Sequence, residues 1–175
     1  MRSGALWTGL ALLLAASLGA SFAADRRGGP SLVGTTAPAF TLPDLSGRPV
    51  SLDSYRGRQV VQIVGWATWC RGCRREIPRL MDTYEKHHLE GFEILAITGP
   101  MGQDLDRVKD FARQTGLPYP VLFDEGNRVL QSYGVYFVPY TCLLDRNGKI
   151  VYEGSHLPND YEKRVEELLA QADPT

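Results

Sequence analysis

Two cysteines separated by two residues, Cys70-Arg71-Gly72-Cys73, stand between a β-branched run at residues 60–64 and an apolar stripe of helical period. That order constrains the local fold more than any other feature of the chain. It predicts a buried strand that opens through Gly65 and Trp66-Ala67-Thr68-Trp69 into a helix carrying both sulfurs in its first turn. The stripe consists of Ile77, Leu80, Met81 and Tyr84; Gly91 marks its stop, and Pro78 is expected to kink it. A helix N-terminus offers unpartnered N–H groups and a partial positive charge, both of which stabilise a thiolate on the first cysteine. The two-residue spacing lets the second sulfur displace a mixed disulfide by intramolecular attack.

Other uses of such a pair are a purely structural disulfide, half of a zinc site, or covalent haem attachment. The chain has three cysteines in all, too few for a disulfide scaffold. Zinc would need two more ligands, and only Cys142 and three unpaired histidines remain. Haem attachment would need a histidine where Arg74 stands. Redox chemistry without a bound metal or other cofactor is therefore the expectation.

The rest of the chain reads as one α/β domain. Residues 40–42 and 50–52 alternate apolar with polar around the turn Pro43-Asp44-Leu45-Ser46-Gly47, predicting an N-terminal β-hairpin. Residues 92–98 and 121–123 read as strands, with Leu105, Val108, Phe111 and Ala112 forming a helix between them that Gly116 closes. A helical turn follows at 129–133. Residues 140–144 and 149–152 flank Arg146-Asn147-Gly148, a hairpin signal, and a last helix carries Tyr161, Val165, Leu168 and Leu169 on one face. The order predicts a mixed central sheet flanked by helices on both faces. With a net charge of −1 and no basic stripe, the chain gives no sign of a nucleic-acid partner.

The N-terminus reads as a targeting segment. Arg2 precedes an apolar run at residues 6–18, and Ser21-Phe22-Ala23 supplies small residues at a cleavage site. The expectation is a signal peptide at 1–23, or an uncleaved anchor, since residues 5–24 suffice to cross a bilayer at about 20 residues. Residues 24–36 read as a flexible linker and 37–172 as the domain. Either form of the segment places that domain outside the cytoplasm, where disulfides persist.

Beyond the cysteine pair, several motifs make the chain resemble the TlpA/ResA-like branch of the thioredoxin superfamily. They are Trp66-Ala67-Thr68-Trp69-Cys70-x-x-Cys73 followed by Glu76 and Pro78, the opening Ala37-Pro38-x-Phe40-x-Leu42, Tyr133-Gly134-Val135, Val138-Pro139, and Leu144-Asp145-x-x-Gly148. The likeness spans residues 37–169. It implies a thioredoxin-like fold and a thiol–disulfide oxidoreductase with Cys70 as nucleophile and Cys73 as resolving thiol. It further implies a cis peptide before Pro139 that places the Val138 backbone against an extended substrate, and Glu76 adjusting cysteine acidity or relaying a proton to Cys73. Trp69 reads either as core or, being beside Cys70, as a shield for the sulfur that contacts substrate. Substrates would be exported proteins with disulfides, apocytochrome c among them. The oxidised pair would be restored by a membrane electron-donor protein. Oligomeric state is open, with a monomer as the default.

Several positions depart from the family pattern. Arg71-Gly72 lacks the proline usual before the second cysteine, and Arg71 places a cation beside Cys70 that favours the thiolate and the reduced enzyme. These two residues are the expected tuners of potential, and they leave an oxidase or isomerase open as the alternative direction. Gly65 and Val64 replace the usual aromatic and polar residues, and Phe137 replaces a glycine near the substrate groove. Cys142 reads as a buried apolar residue, and His156 lacks an obvious partner. Two further readings are weighed. A peroxiredoxin would want threonine and proline where Ala67 and Ile63 stand, and a copper- or haem-handling thiol protein would bind without turnover.

Overall fold

The computed structural model describes residues 31–171. The expected signal segment and the first residues of the expected linker lie outside that range. In chain order the elements are β1 (Thr41–Pro43), β2 (Pro49–Ser51), β3 (Val60–Gly65), α1 (Arg71–His87), β4 (Phe92–Thr98), α2 (Leu105–Thr115), β5 (Val121–Phe123), α3 (Arg128–Ser132), β6 (Tyr140–Leu144), β7 (Ile150–Gly154) and α4 (Tyr161–Leu169), with short 3-10 turns after β2 and α1. No helix among the described residues is long and apolar enough to cross a membrane.

The five-stranded sheet has the order β5-β4-β3-β6-β7. The strand leading to the cysteines is thus its centre, parallel to β4 and antiparallel to β6. Every residue of β3 is buried, because helices cover one face and helix plus hairpin cover the other. The period of two sorts the side chains: Val60 and Val64 join Phe92, Ile94, Ala96 and the buried faces of α1, α2 and α4. Val61 and Ile63 point the other way, into a second core with Leu42, Leu95, Ile97, Leu130 and Leu144. This is the mixed, doubly covered sheet that the pattern predicted.

Helix ends follow local chemistry. Asp104 caps α2 by accepting from the Arg107 N–H at 2.8 Å, and Gly116 closes it in the left-handed region at φ 68°. The helix α1 continues through Pro78 as far as His87, and the chain turns out at Gly91, whose φ is 96°. The hairpin β1–β2 pairs Leu42 with Val50. Its turn is built on Asp44, whose Oδ1 accepts from Ser46 N–H, Ser46 O–H and Arg48 N–H at 2.8, 2.6 and 3.0 Å.

Residues 31–36, the end of the stretch expected as a tether, are pinned to β7 by main-chain bonds. Gly34 N–H donates to Ile150 O at 2.8 Å, Ile150 N–H to Thr35 O at 2.9 Å, and Thr36 bridges Lys149. Leu32 N–H donates to Glu153 Oε2 at 2.9 Å. A second bridge joins Asp44 to Leu122 of β5.

Candidate active site at the start of α1

Cys70 is the N-cap of α1, with extended backbone angles, and its sulfur accepts the N–H of Cys73 at 3.1 Å. Cys70 and Cys73 are joined as a disulfide with Cα atoms 5.3 Å apart. The same N–H and the positive end of the 17-residue helix remain in place when the bond opens, so they stabilise a Cys70 thiolate. No acidic residue lies in the first turn to oppose this, and Arg71 is exposed with no ion pair among the described residues.

The loop that carries Cys70 into the helix is fixed from below by a residue the sequence did not single out. Buried Gln103 accepts the N–H and the hydroxyl of Thr68 at 2.8 and 2.7 Å, while its Nε2 donates to Thr98 Oγ1 at 2.6 Å and to Gly99 O at 3.1 Å. Thr98 in turn donates to Trp66 O at 2.7 Å. Trp66 is buried against Phe111, its ring centroid 5.4 Å away. Trp69 is 50% exposed next to Cys70, and its Nε1–H donates to Met101 O at 2.6 Å. Its indole is therefore held as an outward platform.

Pro139 follows a cis peptide after Val138, as the resemblance implied. It packs on the start of α1 so closely that a Cβ added to Gly72 would lie 3.0 Å from Pro139 Cγ. Val138 and Pro139 are half-buried, whereas Tyr136 and Phe137 project into solvent; Phe137 is 73% exposed. Phe137 is therefore a surface side chain, two residues before Pro139, and does not line the cavity at Cys73.

Cys73, Glu76, Pro139, Tyr140, Val64 and Gly65 border one narrow cavity of about 20 Å³, room for a single water. Glu76 is one helical turn from Cys73 and its side chain is only 15% exposed. It does not pair with Arg75 or Arg79. Its Oε1 instead accepts from Leu157 N–H at 3.1 Å and meets His156 Nδ1 at 3.2 Å. Arg79 serves the same loop, donating to Pro158 O and Asn159 O at 2.9 and 2.8 Å. His156, without an obvious partner in sequence, thus belongs to the site. The contact joins residues 80 positions apart and leaves no local signal.

The departures at residues 64 and 65 also have physical reasons. A Cβ on Gly65 would meet Leu130 Cδ2 and Tyr140 Cβ at 3.2 Å each, so any side chain there would require these neighbours to shift. Val64 is buried beside Cys73, which leaves Glu76 as the carboxylate bordering the cavity. Cys142 is fully buried on β6 opposite Ile63, and burial pushes its thiol up to about 12. One grouping of metal-binding residue types occurs among the described residues: His87, Glu162 and Glu166. It lies at the opposite end of α1 from the cysteines, and Glu162 already pairs with Lys86 at 2.8 Å.

Residues 33–153 match the AhpC/TSA family. The chain belongs to that family. Within it, the chain is 37% identical over 167 residues to the thiol-disulfide oxidoreductase ResA of Geobacillus thermodenitrificans, covering 92% of this chain and 93% of the relative. It is also 36% identical over 145 residues to the chloroplastic peroxiredoxin Q of Sedum lineare, covering 78% of this chain and 75% of the relative. Among solved structures, the thioredoxin domain of a thiol-disulfide oxidoreductase from Bacteroides vulgatus superposes with TM-score 0.70 at 29% identity, over 78% of this chain and 97% of that one. A thiol:disulfide interchange protein from Bacteroides sp. gives TM-score 0.70 at 28% identity, over 81% and 93%. This AhpC/TSA member is a thioredoxin-like thiol–disulfide oxidoreductase of the ResA type, with its cysteine pair at the expected helix start.

Proposed function

We propose that the protein is an exported reductant of disulfides in extracytoplasmic proteins, with Cys70 as nucleophile and Cys73 as resolving thiol. The observation that carries the assignment of Cys70 as the nucleophile is the Cys73 N–H aimed at Cys70 Sγ across 3.1 Å at a helix N-terminus. In the reduced protein the Cys70 thiolate attacks a substrate disulfide, forming a mixed disulfide and releasing one substrate thiolate. Cys73 then gives up its proton, attacks Cys70 Sγ, and releases the second substrate sulfur. The protein becomes oxidised as the substrate gains two thiols.

Glu76 is the proton acceptor for Cys73 in this reading, because the two share the cavity. The exposed indole of Trp69 and the Val138–Pro139 segment form the walls against which an extended substrate strand lies. Apocytochrome c, whose thiols must be free before haem attachment, is the proposed substrate class. A membrane thiol-relay protein restores the dithiol. The protein acts as a monomer without a metal or other cofactor, and the dithiol is its sole redox group.

Titrating the Cys70–Cys73 pair against glutathione or dithiothreitol tests the direction. A potential near −250 mV or lower supports a reductant, and one above roughly −180 mV overturns it in favour of an isomerase or oxidant, the direction Arg71 favours. The peroxiredoxin Q likeness makes peroxide turnover the second reading. Ala67 and Ile63 argue against it, and a failure of the reduced protein to consume hydrogen peroxide with a thiol donor would dispose of it.

A further inference from the structure

The loop between β7 and α4 grips the carboxylate beside Cys73 from two sides. Leu157 N–H and His156 Nδ1 both fall on Glu76 Oε1, and Oε2 receives no hydrogen bond among the described residues. An ionised carboxylate only accepts, so Nδ1 carries the hydrogen of the imidazole. The loop itself is anchored. Tyr152 O–H donates to His156 O at 2.9 Å, Arg79 holds the two carbonyls after Leu157, and Leu157 is buried in the core. The imidazole is 61% exposed, yet its Cε1 comes within 3.9 Å of where a Cβ on Gly72 would lie. It therefore sits over the start of α1 while contributing little to the core.

We propose that His156 is a positioning residue for the resolving half of the exchange: by holding Oε1, it turns Oε2 of Glu76 toward Cys73. This rests on the reading of Glu76 as proton acceptor. In the step concerned, the Cys73 S–H proton passes to Glu76. The Cys73–Cys70 bond forms as the bond from Cys70 to the substrate sulfur breaks, and the departing thiolate takes up a proton. The electron pair of the broken bond leaves with the substrate. A carboxylate free to rotate spends less time aligned with the thiol, so losing the imidazole slows this step and not the first attack, which Cys70 makes alone.

The test is a single turnover of the reduced full-length protein with one equivalent of a chromogenic aryl disulfide. Attack by Cys70 releases the first chromophore, and resolution by Cys73 releases the second. In His156→Ala the second phase is expected to slow about tenfold with the first within about twofold. In His156→Asn, whose amide supplies an N–H at the position of Nδ1, most of the second-phase rate returns. Glu76→Gln slows the second phase, and adding His156→Ala to it brings no further loss. Far-UV circular dichroism and a cooperative urea transition show that the variants are folded. An unchanged second phase in His156→Ala, with Glu76→Gln slowed, overturns the clamp alone; an unchanged second phase in Glu76→Gln overturns the proton-acceptor reading and the clamp with it.

Discussion

Gly72 lies against the ring of Pro139 with so little clearance that a single added carbon would sit 3.0 Å from Pro139 Cγ. The helix start and the proline loop are thereby locked to one another across the cysteine pair. Gly72→Ala should push Pro139 away by a few tenths of an ångström and cost about 1–2 kcal/mol, as overpacking does. Its signature is a slower reaction with extended peptide disulfides than with small ones. Equal rates for both would mean the proline loop yields without consequence.

Arg71 is an exposed cation next to Cys70 with no ion pair among the described residues. Replacing it by Gln removes charge that favours the thiolate, so the reduced form loses stability and the potential becomes more negative. Screening by solvent keeps the effect small, about 10–20 mV. A redox titration at low and high salt measures it, and the difference between wild type and variant should shrink as salt rises.

Gln103 satisfies buried groups of Thr68, Thr98 and Gly99 together. Gln103→Ala strands them and should lower stability by about 2–4 kcal/mol in urea unfolding. Because Thr68 is two residues from Cys70, the loop loosens and the potential moves as well. A stability loss with no change in potential would show that the loop keeps its shape without the amide.

Cys142 is fully buried and its thiol is pushed up to about 12. In the reduced native protein Cys70, at the helix N-terminus, should alkylate first at pH 8, and Cys142 only after denaturation. Above about pH 9 the unfolded chain ionises this thiol while the folded chain keeps it neutral. Stability therefore falls as pH rises, by about 1.4 kcal/mol per unit from this group. Cys142→Ala removes that contribution, and unfolding curves between pH 8 and 10 compare the two slopes.

Much of the fold was legible because its signals are local. The β-branched run before Cys70 produced the central strand, and Gly116 closes α2 where the period ends. The cysteine pair, Glu76 and Pro139 were legible from motifs. His156 and Gln103 were not, because each acts through contacts distant in sequence, His156 on Glu76 and Gln103 on Thr68. Residues 32–36 looked like a tether because few of their side chains are apolar. They are held through main-chain N–H and C=O groups, to which composition is blind.

The N-terminal stretch touches both outer strands of the sheet: Thr36 bridges Lys149 at the head of β7, and Asp44 bridges Leu122 in β5. Outer strands left bare invite other chains to add to them. The extension therefore works as a collar that keeps a sheet with two open sides from acting as a template. A chain trimmed to begin after residue 46 would lose both bridges at once and acquire a route to self-association unconnected with its thiols.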